Sequence, residues 1–191
     1  MRCMLCESFS LFHICPSCQR THLTPQWHHR TILGSLPVYS FYPYSDIEPL
    51  LLTKHTDVGY YLYSILAKNS FKMFAQTWRY AQRVASVGVD DRAKKGYSHT
   101  AILNHALHSP TITPQYGKLR ASHPYTYAGK SVQERLLNPR KFIYQPFKED
   151  EVILVDDIVT TGSTLTEAVE TLAQHRKKVI LCLTLSDAEN K

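Results

Sequence analysis

The stretch EVILVDDIVTTGSTLTEAVETLA, Glu151 to Ala173, limits the possible folds more than any other part of the chain. A continuous apolar run, Val152 to Val155, meets two aspartates, then one glycine among hydroxyl residues, then apolar residues at helical spacing (Leu165, Ala168, Val169 and Leu172). A short apolar run bounded by turn residues reads as a strand buried on both faces, and the later spacing reads as an amphipathic helix over Thr164–Ala173. Thr164 followed three residues later by Glu167 matches a capping box at its start. Val179 to Leu185 is a second strand, with Cys182 as a small apolar core residue. Strand, helix and strand in about thirty-five residues make a βαβ unit, which requires a parallel sheet covered on both faces. The fold class expected is therefore α/β, a parallel sheet flanked by helices.

A strand that ends in a tight loop opening a helix presents backbone N–H groups at the positive end of the helix dipole, a cradle for phosphate. Gly162 permits the sharp turn and close approach. The hydroxyls of Thr160, Thr161, Ser163 and Thr164 can donate to phosphate oxygens. The loop has no lysine, which excludes a Walker A sequence. Asp156 and Asp157, just before it, would repel a bare triphosphate but can accept hydrogen bonds from the vicinal hydroxyls of a ribose. Together the two elements describe a ribose with its 5′-phosphate in the loop. An acidic turn that only caps the helix would need one such residue, not two acids and four hydroxyls.

The 191 residues allow about one domain plus a small appendage. Cys3 and Cys6 are two residues apart, as are Cys15 and Cys18, with eight residues between the pairs. Two such knuckles supply four thiolates within tetrahedral reach, the donor set of a structural zinc site. A four-thiolate site has no open position, so its contribution is to folding. The start, MRCMLCESFS, lacks the charged head and apolar run of a signal peptide, and no segment approaches the roughly 20 apolar residues of a membrane span. A cytoplasmic protein is expected, where disulfides are disfavoured. Between these ends, LPVYSFY reads as a strand with Pro37 at its start or at a sheet edge. Val58 to Leu66 reads as a helix, Val84 to Val89 as a short buried strand, and His99 to Leu107 as a helix. Pro110 to Tyr127 reads as loop with room for one strand, and Ser131 to Asn138 as a short helix.

The formal charge is +6, so an anionic partner is plausible. Its basic residues cluster in Arg79–Lys95 and in Lys118–Lys141, where Tyr116, Tyr125 and Tyr127 are interleaved.

Val152 to Leu165 resembles the phosphoribosyl pyrophosphate (PRPP) loop of type I phosphoribosyltransferases. That resemblance implies that Asp156 and Asp157 hold the ribose hydroxyls, that Thr160 to Thr164 hold the 5′-phosphate, and that Mg2+ accompanies PRPP. Together with the cysteine module, the chain is similar to the ComF/ComFC family of competence proteins, associated with DNA uptake in natural transformation. Lys54, before a helix, is similar to that family's lysine-containing segment. Gln133, Arg135, Asn138 and Phe142 are similar to its Q/E-R-x-x-N-x-x-x-F stretch. Its Pro-Val-Pro and R-G-F-N-Q segments stand here as SVGVDDRAKKGYSH, with Gly96 and Tyr97 kept, Lys95 for arginine and Ser98-His99 for Asn-Gln. In the transferase fold this loop meets pyrophosphate. Lys54, Arg92, Lys94 and Lys95 are candidate contacts to pyrophosphate or DNA, with a solvated loop as the other reading of the last three. Asp90 and Asp91 beside them weaken anion binding unless magnesium bridges.

The resulting division is a four-cysteine zinc ribbon over residues 1–30 and a phosphoribosyltransferase-like domain over 31–191. The expected function is PRPP binding together with handling of single-stranded DNA, on which positive side chains track phosphates and tyrosines stack on bases. A DNA-uptake helicase or recombination mediator is a further candidate partner. The alternative is an active transferase joining phosphoribose to a nucleobase-like acceptor with release of pyrophosphate, its catalytic residues and acceptor undetermined.

Overall fold

The computed structural model describes residues 1–89, 93, 96–122 and 141–189. Eight strands are present among them: β1 (His28–Ile32), β2 (Leu36–Pro43), β3 (Val84–Gly88), β4 (Ile112–Gln115), β5 (Leu119–Ala121), β6 (Phe142–Tyr144), β7 (Glu151–Val159) and β8 (Lys178–Asp187). Six helices accompany them: α1 (Pro16–His22), α2 (Tyr44–Leu51), α3 (Asp57–Asn69), α4 (Phe71–Thr77), α5 (His99–Ala106) and α6 (Ser163–Gln174).

The main sheet runs β1-β2-β8-β7-β3-β4, and only the β1–β2 pair is antiparallel. Its central strands are largely apolar through their middles because both faces are covered. On one face Ile153, Val155, Leu183 and Leu185 pack with Leu62, Leu66, Phe71, Leu103 and Leu107 of α3 to α5 and the residue after it. On the other, Val152, Leu154, Val38 and Cys182 pack with Leu165, Ala168 and Leu172 of α6 and with Leu119 of the small β5–β6 sheet. Cys182 is buried on β8, and burial together with the charge of Asp156 pushes its thiol up to about 12.

Local chemistry sets the helix starts. The Thr56 side chain accepts from Gly59 N at the head of α3, and Ser98 accepts from Ala101 N at the head of α5. The capping box expected at Thr164 does not form. Gly162 is the N-cap, the helix begins at Ser163, and Glu167 Oε1 instead accepts from Lys141 N at 2.6 Å. The Val152–Val155 run proves to be the middle of a nine-residue strand that carries both aspartates and pairs with β8 as far as Val159↔Asp187. Pro37 lies at the start of β2, ahead of the β8 pairing that begins at Val38, and β1 lies outside it, so β2 is an inner strand. Among the described residues of Pro110–Tyr127 there are two short strands, β4 and β5, where room for one was expected. The helix expected over Ser131–Asn138 lies outside the described residues.

The N-terminal cysteine segment is not separate from this core. Cys3, Ile14, Cys15, Cys18 and Leu23 belong to the same buried cluster as Phe41, Tyr42 and Leu62. Tyr42 Oη donates to Leu23 O at 3.2 Å, and Gln26 N donates to Phe41 O at 2.7 Å. β1 itself crosses residue 30, where the sequence suggested a boundary. No helix among the described residues is long and apolar enough to cross a membrane.

Candidate functional site

The strand order places a topological switch point between β7 and β3. From β7 the chain crosses by α6 to β8, and from β3 it crosses by α5 on the opposite face to β4. Diverging connections open a crevice outside the carboxyl ends of those two strands, where ligands bind in open α/β sheets. The crevice receives Asp156, Asp157 and the Thr160–Gly162 loop from β7.

Adjacent strand residues point to opposite faces, which separates the two acids. Asp156 is half-buried, and its Oδ1 accepts from Asp157 N at 2.8 Å. Asp157 is buried on the helical face. Its Oδ2 lies 2.9 Å from Lys54 Nζ in the α2–α3 turn, 3.2 Å from Tyr63 Oη on α3 and 3.5 Å from His99 Nε2 at the head of α5, while Oδ1 accepts from Ile158 N at 2.9 Å. Burial pushes the Asp157 carboxyl up, but the charges of Lys54 and His99 and the Lys54 hydrogen bond outweigh it and hold it well below the usual carboxylate range. Asp157 thus ties four elements together in its ionised form.

The α2–α3 turn is fixed from a second side. Tyr97 Oη lies 2.7 Å from Lys54 O and 3.0 Å from Thr56 O. Gly59 makes this possible, since a Cβ there would stand 2.1 Å from Thr53 O and 2.3 Å from Tyr97 Oη. Tyr97, of the Gly96-Tyr97 pair retained in the SVGVDDRAKKGYSH segment, therefore anchors the lysine turn. Arg92, Lys94 and Lys95 lie outside the described residues.

The loop after β7 has the form required of an anion cradle. Gly162 adopts φ +77°, in the left-handed region open to glycine, and its O accepts from Thr166 N to begin α6. Gly162 offers no side chain to cap the helix, and Ser163 N donates to Thr161 Oγ1 at 3.4 Å, so the loop itself supplies a hydroxyl to the first turn. Thr161 Oγ1 lies 3.1 Å from Ser163 Oγ, while Thr160, Ser163 and Thr164 are half-buried around the turn.

Arg30 of β1 was not singled out by the sequence, yet it holds this loop. Its Nη2 donates to Thr160 O, its Nη1 pairs with Glu189 Oε2 at 2.5 Å, and its Nε lies 3.2 Å from Asp187 Oδ2 at the end of β8. Five fixed donors on one guanidinium suit such a three-way contact. An arginine in a histidine-rich stretch gives no local signal of this. Only the antiparallel addition of β1 to β2 brings it within reach.

The four cysteines converge as their spacing implied. All four sulfurs lie within 4.8 Å of one another, and Cys6 Sγ and Cys15 Sγ are 3.7 Å apart. A tetrahedral zinc with bonds of about 2.3 Å would set its sulfurs about 3.8 Å apart. Cys15 N donates to Cys3 Sγ, which draws the Cys3 thiol down to about 6, whereas the hydrogen bond with Cys6 and burial push Cys18 up to about 12. Crowded thiolates of this kind are balanced by a dication, and the site can hold zinc.

Of the interleaved basic and tyrosine surface, Tyr116, Arg120 and Lys141 are exposed, and Tyr116 Oη lies 3.0 Å from His105 Nδ1. Lys118 is half-buried, with Nζ donating to Pro146 O. Residues 123–140, including Tyr125, Tyr127, Gln133, Arg135 and Asn138, lie outside the described residues.

Comparison with known proteins bears on this site. No curated protein sequence matches the chain. Solved structures similar to it include a hypoxanthine phosphoribosyltransferase from Staphylococcus aureus, at 16% identity over 68% of this chain and 65% of that one with a TM-score of 0.42. An adenine phosphoribosyltransferase matches at 18% identity over 90% of this chain and 89% of that one, TM-score 0.45. An orotate phosphoribosyltransferase from Aeropyrum pernix matches at 13% over 91% and 93%, TM-score 0.39. The chain thus spans just under two thirds of the length of the hypoxanthine enzyme. Residues 126–191, which contain β7, the hydroxyl loop, α6 and β8, match the phosphoribosyl transferase domain.

Proposed function

We propose that the protein binds PRPP with Mg2+ at the carboxyl end of β7, in the cytoplasm, and that it handles single-stranded DNA during uptake. The observation that carries the PRPP reading is the sequence of groups along one strand end: two carboxylates, then a left-handed glycine among hydroxyls, then a helix of twelve residues. The 5′-phosphate sits on the first-turn N–H groups of α6 with the Thr160, Thr161, Ser163 and Thr164 hydroxyls around it. Asp156 accepts from the ribose hydroxyls. Asp157 serves the same site while holding Lys54 at its rim, where the ammonium can meet the pyrophosphate. Magnesium prefers substrate phosphate oxygens with one or two carboxylates, which this arrangement supplies. Zinc in the four-cysteine site is structural.

Calorimetric titration of PRPP with Mg2+ into wild type and Asp156→Asn tests the reading. Binding weakened about ten-fold or more in the variant supports it, as expected for loss of a charged hydrogen-bond acceptor. Equal affinity in both proteins rejects the loop assignment.

The DNA reading is supported by the +6 charge, by exposed Tyr116, Arg120 and Lys141, and by the ComF/ComFC resemblance. Binding of short oligonucleotides should fall steeply with salt, and no binding at low salt rejects it. A helicase or recombination mediator would act beside it. The second reading, transfer of phosphoribose to a nucleobase-like acceptor, is favoured by the match of residues 126–191 to the transferase domain. Pyrophosphate release in a screen of nucleobases would establish it.

A further inference from the structure

The first cysteine knuckle carries more exposed apolar surface than a solitary chain usually shows. Phe9 is 83% exposed and Leu11 80%, and Met1, Met4, Leu5 and Phe12 are each at least 43% exposed. The backbone holds them together: Arg2 bridges Phe9, Ser10 N donates to Met1 O, and Met4 N donates to His13 O. The patch continues onto α3, where His13 stacks on Tyr61 with ring centroids 4.6 Å apart and Tyr61 meets Tyr60 edge-on. At on the order of 200 Å² for a fully exposed large side chain, the six knuckle residues leave about 700 Å² of surface in water. Monomers rarely show more than a few hundred Å² in one apolar patch, and each partner in a standard interface contributes about 800 Å².

We infer that this knuckle is a homodimer interface, in which the Met1–His13 patch of one copy covers the same patch of a second. Charge favours this occupant. Among Arg, Lys, Asp and Glu, the segment holds one Arg2 and one Glu7, so a two-fold axis can set each against its opposite in the other copy. An anionic lipid surface would call for several lysines or arginines around the apolar tip, and a nucleic-acid strand for a basic groove. One arginine beside one glutamate supplies neither. Aromatic and methionine side chains with few charges are the composition of an interface centre.

Sedimentation velocity of the zinc-loaded full chain tests this over a concentration series. Wild type should convert from monomer to dimer with a midpoint in the micromolar range, roughly that of a standard-size interface of ordinary quality. Phe9→Ser with Leu11→Ser should raise the midpoint about ten-fold or more while zinc content and circular dichroism stay unchanged. Ile143→Ser, an exposed apolar residue on β6, should leave it unmoved. Monomeric wild type at about 100 μM, or a double variant that dimerises as wild type does, overturns the inference. Monomeric wild type that floats with phosphatidylglycerol-containing vesicles also overturns it, in favour of a lipid surface.

Discussion

Two places where this chain gathers charged groups are held in different ways. At the N-terminus, four sulfurs come together from two turns within eighteen residues, and neighbouring backbone N–H groups orient them. At the carboxyl end of β7, one carboxylate meets Lys54 and Tyr63, which are 103 and 94 residues away in the chain. The first site is written in local spacing and has the donor set to hold an ion. The second is written in tertiary packing, and its charges complete one another. A local site can be lost and leave its surroundings searching for structure. A packed ion cluster cannot lose a member without leaving an uncompensated charge inside the fold.

Breaking the first site should have the largest effect. Cys3→Ser, or removal of metal with a chelator, should abolish bound zinc. Because Cys3, Cys15 and Cys18 sit in the main core and not in a detached ribbon, the melting temperature of the whole chain should also fall, by roughly 10 °C. Full metal content with an unchanged transition in Cys3→Ser would contradict the four-sulfur site.

Breaking the second comes next. Lys54→Met leaves Asp157 with His99 and Tyr63 alone and should cost about 2–4 kcal/mol in chemical denaturation, lowered from the fully buried case because Lys54 is a third exposed. Since Asp157 is held below its ordinary value, its contribution is complete above that value, near 3.8, and is lost as the pH falls below it. Stability of wild type should therefore drop on acidification through this range more steeply than that of Lys54→Met. Parallel curves would show that the cluster is not ionised as described. The same reasoning makes Asp157→Asn a poor probe of ligand binding, because its stability cost is mixed with any loss of affinity, and it makes Asp156→Asn the cleaner one.

The contrast also explains what the sequence could reveal. Residues whose roles follow from spacing were legible: the two cysteine pairs, the β7–α6–β8 unit, Gly162 at the turn, and the buried strand at Val84. Lys54 was singled out, but not its pairing with Asp157, because nothing in the α2–α3 turn shows which strand it will face. Arg30 and Tyr63 gave no signal at all. An arginine in an edge strand and a tyrosine on an apolar helix face have ordinary local reasons to be there, and only the order of strands brings Arg30 to the loop, as only the packing of α3 on the sheet brings Tyr63 to Asp157. The capping box misled for a related reason. Thr164 and Glu167 have the right spacing, but the left-handed turn at Gly162 starts the helix one residue earlier and Glu167 is taken by Lys141.

A smaller effect tests the clamp that the sequence did not show. Arg30→Lys keeps the charge but cannot reach Thr160 O, Asp187 and Glu189 together. It should cost about 1–2 kcal/mol of stability, the worth of one charged hydrogen bond, and raise amide exchange in the Thr160–Ser163 loop. Unchanged exchange there would assign Arg30 to the β8 end alone.

The smallest effects separate backbone strain from packing at the loop. Gly34, in the β1–β2 turn, and Gly162 have nearly the same positive φ, +79° and +77°. A Cβ at Gly34 meets nothing within 4 Å, whereas at Gly162 it would stand 3.0 Å from Ile32 Cγ2. Gly34→Ala should therefore cost only the left-handed penalty of about 1–2 kcal/mol. Gly162→Ala should cost that plus a few tenths as Ile32 shifts, and the shift acts on the residue that backs the proposed phosphate loop from β1. Denaturation midpoints give the difference between the two variants. Equal costs would mean that β1 yields freely under the loop, and that the clamp on it comes from the Arg30 guanidinium and not from the strand that carries it.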